Sequence, residues 1–144
     1  MSHRDITFYV VDIFIAIDKV KRYTEKFENG SELLYDEVYW DATIRELEII
    51  GEATKYLLKD ELIDTKYRRI VDFRNQILHG YFGIDENIVW DVVKNKLSEY
   101  EVDLKHMLLE EDMDLSLAVE YAKDEYENQS NVLRTLENIK NWVS

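Results

Sequence analysis

The segment Arg74-Asn75-Gln76-Ile77-Leu78-His79-Gly80-Tyr81 gathers residue types that can work on a phosphodiester without a metal ion. Cleaving RNA in that way requires a group that withdraws the 2′-hydroxyl proton and a cation that stabilises charge on the phosphoryl oxygens. An acid must also protonate the leaving 5′-oxygen. Histidine exchanges protons near neutral pH, and arginine keeps its charge and offers a planar fork that matches phosphate. Arg74 and His79 are therefore the candidate catalytic pair. Asn75 can orient the imidazole or bind the phosphate, and Tyr81 can stack on a base or hydrogen-bond to phosphate.

Spacing alone does not bring the pair together. Five residues on a straight helix amount to about 140° of rotation, so Arg74 and His79 point in different directions. Asn75 and His79, four apart, lie within roughly 40° of each other and share a face. The long Arg74 side chain can curl toward that edge, and a second chain could supply the remaining groups. The same residues could instead cap helix carbonyls and pair with acidic neighbours, and the spacing is compatible with both.

The formal net charge of −13 disfavours broad, nonspecific binding to nucleic acid, so RNA would have to meet a local patch. Lys66, Arg68 and Arg69 lie close before Arg74 and are opposed only by Asp72, which makes them candidate RNA-binding residues. The negative charge concentrates toward the C-terminus, where Glu110 to Glu127 holds a single cation, Lys123.

The elements that must position these residues are helices. Proline is absent and glycine occurs four times, too little punctuation for the many turns of a β-rich chain of 144 residues. A first helix is expected from about Asp5 to Phe27, with Ile6, Val10, Ile13, Ile17 and Val20 inward and Asn29-Gly30 ending it. Asp36 should cap a second, reaching about Leu58, with Ile44, Leu47, Ile50 and Leu57 inward. Thr65 is expected to cap a third that carries the candidate pair and stops at Gly80 or Gly83. Asp85 should cap a fourth to about Leu109, and a fifth should run from about Leu115 to Val143. Short connections favour an up-and-down antiparallel bundle in one domain: residues 1–109 as the bundle, 110–144 as an acidic helical extension.

Other chemistries find little support. His3, His79 and His106 lack the paired spacing of a helical metal site, so no metal and no cofactor is expected. Glu48 and Glu52 are an i, i+4 carboxylate pair without a matching Glu/His set and are expected on a solvated or interface face. Gly51, inside a helix, suggests close packing. Trp40, Trp90, Trp142 and the tyrosines are expected in the core or an interface. Phosphate-cradling glycine loops and the serine-hydrolase elbow are missing. Cysteine is absent, and the apolar run Ile6 to Ile17 is too short and charged to span a bilayer, so a cytoplasmic protein without membrane contact is expected.

The segment from Arg74 to Tyr81 resembles the Arg-x-x-x-x-His-x-Tyr motif of HepT-type toxins in the HEPN superfamily. Arg45-Glu46-Leu47-Glu48-Ile49-Ile50-Gly51-Glu52-Ala53 resembles that family's second-helix segment, and Tyr81-Phe82-Gly83-Ile84-Asp85 leading to Val89-Trp90 resembles the family's stretch on the C-terminal side of the motif. The likeness covers about residues 5 to 109. It implies an all-α, HEPN-like bundle of four core helices, here with an extra C-terminal helix. It also implies a homodimer that brings two Arg/His pairs to one cleft. The activity implied is that of a metal-independent endoribonuclease toxin in a type VII-like toxin–antitoxin system. Its partner would be an MntA-type nucleotidyltransferase antitoxin that silences it by AMPylation of Tyr81. The alternative is a noncatalytic helical adaptor that binds such a nucleotidyltransferase.

Overall fold

The computed structural model describes residues 3–79 and 83–143 of the chain. Helix α1 (His3–Thr24) buries Ile6, Val10, Ile13, Ile17 and Val20 completely, as the three- and four-residue spacing requires. It ends before Phe27. The Thr24 hydroxyl donates back to the Val20 carbonyl at 2.8 Å, and Lys94 Nζ approaches the Thr24 carbonyl oxygen at 3.5 Å, a cation at a helix C-terminus. Asn29-Gly30 does not stop α1 but starts a short helix, α2 (Gly30–Tyr35). The Asn29 side chain accepts from the Glu32 N–H at 2.9 Å, and the Glu32 carboxylate reaches back to the Glu28 N–H at 2.7 Å. Gly30 is needed for room, since a Cβ there would stand 2.3 Å from the Glu86 carbonyl oxygen.

Helix α3 (Glu37–Lys59) is capped by Asp36, whose carboxylate accepts from the Tyr39 N–H, and it buries Leu47, Ile50 and Leu57 while Ile44 stays half-buried. The next helix is capped one residue earlier than expected. Asp64, not Thr65, accepts from the Lys66 N–H at 2.7 Å and opens a 3-10 turn (Thr65–Tyr67) that leads into α4 (Arg68–Leu78).

Asp85 caps α5 (Glu86–Asp91) through the Asn87 N–H at 2.8 Å. The chain continues through a widened π-helical stretch (Val92–Lys96) into α6 (Leu97–Glu110), so the expected fourth helix is one run with a bulged turn. Lys94, which meets the end of α1, lies in that stretch. The expected fifth helix is instead two, α7 (Ser116–Glu125) and α8 (Ser130–Val143). The polar stretch Glu127-Asn128-Gln129 turns the chain back so that Val119, Ala122, Val132, Leu136 and Ile139 are all buried.

Helix α1 packs along α3, and α3 along α4, while α5 and α6 close the antiparallel four-helix bundle. The α7–α8 hairpin lies on the remaining faces of α1 and α6. Phe8 meets Tyr121 and Phe14 meets Trp142 edge to face, and Lys105 sits 3.7 Å from the centre of the Trp142 ring. The buried apolar side chains of bundle and hairpin form one cluster. Among the described residues there is no strand, and no helix is long and apolar enough to cross a membrane.

Candidate active site on helix α4

Two anchors hold α4. At its start, the Tyr67 hydroxyl donates to the Asp103 carboxylate of α6, and the Tyr67 ring stacks on Tyr100 with centroids 4.4 Å apart. Burial, and then the bond to Asp103, pushes the Tyr67 phenol far above its ordinary value, so it remains a donor. Tyr100 is buried and shares a 2.8 Å hydrogen bond with Thr54 of α3. Lys66 adds ion pairs to Glu99 at 2.7 Å and Asp103 at 3.5 Å. Further along, Gly51 lets α4 approach α3 so closely that a Cβ on it would stand 2.3 Å from Arg74 Cβ. The glycine expected to mark close packing does so against the candidate arginine.

Arg74 is pressed against α3, its side chain about one-fifth exposed. Its Nη2 lies 2.6 Å from Glu52 Oε2, and its Nη1 donates to Asn75 Oδ1 at 3.0 Å. Asn75 thus spends its side-chain oxygen on the guanidinium rather than on the imidazole. Its backbone carbonyl accepts the His79 backbone N–H at 3.1 Å, the bond that closes the last turn of α4. His79 terminates α4 as its C-cap and is exposed. Tyr81, the candidate for modification, lies outside the described residues.

Arg74 opens into a cleft of about 240 Å³ between α1, α3 and α4, bordered also by Tyr9, Asp12, Arg45, Glu48 and Glu52. Three carboxylates face two guanidinium groups there, and Arg45 is itself paired with Glu48 at 3.3 Å. Asp12 is open to solvent at the cleft rim, and partial desolvation by the surrounding helices, then the Glu125 carboxylate of α7, raises its carboxyl to about 6. The cleft is therefore an acidic setting with Arg74 as a pinned cation.

The candidate RNA-binding residues do not extend this cleft. Lys66 and Arg69 line a different depression of about 350 Å³, floored by Ile70, Phe73, Ile88 and Val92 on the other side of α4. Lys66 is also committed to two carboxylates, whereas Arg68 and Arg69 are exposed on the first turn of α4. Closeness in sequence became separation in space because five residues, from Arg69 to Arg74, rotate a helix by about 140°. Among the described residues no group of three or more histidine or carboxylate side chains could hold a metal ion. What sequence reasoning missed is the role of Glu52, expected with Glu48 on a solvated or interface face but found against Arg74. Its signal was its place beside Gly51: the neighbour of a contact glycine is turned by about 100° to the rim of the contact, where a long side chain can reach the arginine packed on that glycine.

Comparison with known proteins agrees with this architecture. The family described as HepT-like ribonuclease matches residues 13–107, from the middle of α1 to near the end of α6. A Methanocaldococcus jannaschii protein named as a candidate RNase is 30% identical over 108 residues, covering 73% of this chain and 98% of its own length. A second from that organism, similarly named, is 32% identical over 118 residues, covering 75% and 95%. A Thermococcus cleftensis protein named probable ribonuclease HepT is 35% identical over 101 residues, covering 67% and 86%. No solved structure matches the chain. The α7–α8 hairpin lies beyond the matched residues, whereas all of α3 and α4, with Gly51, Glu52, Arg74 and His79, falls inside them, and the chain belongs to the HepT-like ribonuclease family.

Proposed function

We propose that the chain is a metal-independent endoribonuclease toxin in which Arg74 and His79 act on the scissile phosphate. The observation that carries this reading is the pinned Arg74 guanidinium on the helix whose C-cap is an exposed His79, within a ribonuclease family. His79 takes the 2′-hydroxyl proton, the 2′-oxygen bonds to phosphorus, and the bond from phosphorus to the 5′-oxygen breaks. The departing oxygen takes a proton from an acid, leaving a cyclic phosphate and a 5′-hydroxyl. Arg74 balances the charge that builds on the phosphoryl oxygens. One histidine cannot be acid and base in the same step. A homodimer that brings a second Arg74/His79 pair to a shared groove supplies the missing acid.

The finer parts of the reading go with it: a cytoplasmic toxin–antitoxin pair, an MntA-type nucleotidyltransferase partner, and AMPylation of Tyr81 that places phosphate charge at the groove and repels RNA. Lys66, Arg68 and Arg69 contribute to RNA binding in this scheme; all three are exposed, and Lys66 is shared with Glu99 and Asp103.

The test is cleavage of single-stranded RNA by purified protein in EDTA. Wild type should cleave, and Arg74→Ala and His79→Ala should each abolish cleavage while keeping the helical circular dichroism. Cleavage that survives either change refutes the site. The adaptor reading makes the opposite forecast in cells, where induced wild type would cause no growth arrest; under the toxin reading it arrests growth and His79→Ala does not. Intact mass of the protein co-expressed with its nucleotidyltransferase should rise by an adenylyl group, and Tyr81→Phe should remove the increase.

A further inference from the structure

We propose that Glu52 is a positioning residue for Arg74, acting as a brace that sets the guanidinium before RNA arrives; this rests on the reading of Arg74 as the phosphate-facing cation. Three observations converge. Glu52 Oε2 meets Arg74 Nη2 at 2.6 Å, and that oxygen is buried, outside hydrogen-bond geometry, so the charge of the guanidinium is what compensates it. Glu52 Oε1 accepts from Lys55 Nζ at 3.1 Å, which fixes the carboxylate from its far side. Gly51 supplies the space that lets the Arg74 stem lie against α3 at all.

The guanidinium is thereby held at its two terminal nitrogens by separate oxygens, Nη2 at Glu52 and Nη1 at Asn75. Arginine has five N–H donors, so two such contacts leave others for a phosphate. A free arginine side chain samples many rotamers and must be ordered when its ligand binds; a braced one meets the ligand already ordered. A competing carboxylate would do the reverse, occupying the fork and weakening RNA binding. The two roles differ in sign. Loss of a brace lowers turnover, whereas loss of a competitor raises activity or tightens binding.

The experiment compares full-length wild type, Glu52→Ala, Glu52→Gln and Arg74→Ala, using a fluorescently end-labelled single-stranded RNA oligonucleotide as substrate. Glu52→Ala should lower kcat by about 10- to 100-fold, the scale of a misplaced catalytic group, with KM changing much less. Glu52→Gln, which keeps an oxygen for the guanidinium, should recover part of that loss. A second readout does not depend on activity. In arginine side-chain NMR, the Arg74 Nε–Hε signal should be distinct and slowly rotating in wild type, and averaged in Glu52→Ala with helical content unchanged. Cleavage by Glu52→Ala at or above the wild-type rate overturns the proposal, as does an Arg74 signal indifferent to the substitution. If wild type does not cleave the RNA, the ribonuclease reading of Arg74 fails, and the NMR comparison alone decides whether the brace exists.

Discussion

Replacing Gly51 with alanine tests the contact on which the site is built. On helix propensity alone the change should stabilise, because alanine is favoured over glycine inside a helix by about 1 kcal/mol. The structure forecasts the opposite. The added Cβ would stand 2.3 Å from Arg74 Cβ, 2.8 Å from Arg74 Cγ and 3.2 Å from the Ile70 carbonyl oxygen. Carbon atoms rest near 3.5–4.0 Å apart, so α3 and α4 must separate by about 1 Å or more. Overpacking of this kind costs about 1–3 kcal/mol, toward the upper end here because the nearest atom is a Cβ tied to backbone. The net expectation is a loss of about 1–2 kcal/mol, or a melting temperature lower by roughly 3–8 °C. Moving Arg74 by about 1 Å should also reduce RNA cleavage by about 10²-fold. Thermal unfolding followed by circular dichroism, beside a cleavage assay at a temperature where both proteins are folded, measures the two effects. A Gly51→Ala protein as stable as wild type, or more so, would mean that α3 and α4 do not meet at this residue.

Other perturbations address separate parts of the molecule. The Asp12 carboxyl is raised to about 6, so the folded state holds its proton more tightly than the unfolded chain and stability drains away as pH climbs through that value. Asp12→Asn should therefore raise the free energy of unfolding above pH 7, by an amount on the order of 1 kcal/mol once solvent screening is counted, and lose the advantage below pH 4, as urea denaturation at the two pH values would show. Tyr100→Phe removes a buried 2.8 Å hydrogen bond, but Thr54 keeps its bond to the Ile50 carbonyl, so urea denaturation should register only about 1 kcal/mol. Deleting residues 111–144 removes Leu115, Val119, Val132, Leu136 and Ile139 from the core. At about 2 kcal/mol each this rivals the whole stability of a small domain. The truncated chain should unfold or form aggregates larger than the full-length species on gel filtration, and a stable product with the oligomeric state of the full-length chain would make the hairpin a removable cover instead.

The helical class and most of the bundle were legible in the amino-acid sequence because both rest on local rules. Lack of proline excludes frequent breaks, and apolar residues every three or four positions define one inward face; Ile6, Val10, Ile13, Ile17 and Val20 are all fully buried. The caps at Asp36 and Asp85 were equally readable, since a short carboxylate that accepts an N–H two or three residues on is a local bond. Where the reading failed, a neighbour distant in sequence decided the outcome. Asn29-Gly30 has the composition of a helix end, but the close backbone of Glu86 gives the glycine its purpose at a helix start. The C-terminal segment has enough helical pattern for one long helix, yet the finite length of α1 and α6 makes folding back the way to bury it.

The candidate site divides along the same line. Arg74, Asn75 and His79 could be named from residue chemistry and from the resemblance of their segment to a known motif. Two things needed coordinates. The basic cluster from Lys66 to Arg74 is contiguous on paper, but the helical rotation sends Lys66 and Arg69 into one depression and Arg74 into another. Glu52 lies 22 residues before Arg74, and although it falls in the segment that resembles the family's second helix, nothing local assigns it to that arginine. Sequence by itself determined which side chains this protein can bring to a phosphate, since that is a property of the residues. Only the packing of α3 on α4 through Gly51 decided which carboxylate would hold the arginine, because an ion pair depends on separation in space, and that distance is set by how closely two helices can approach.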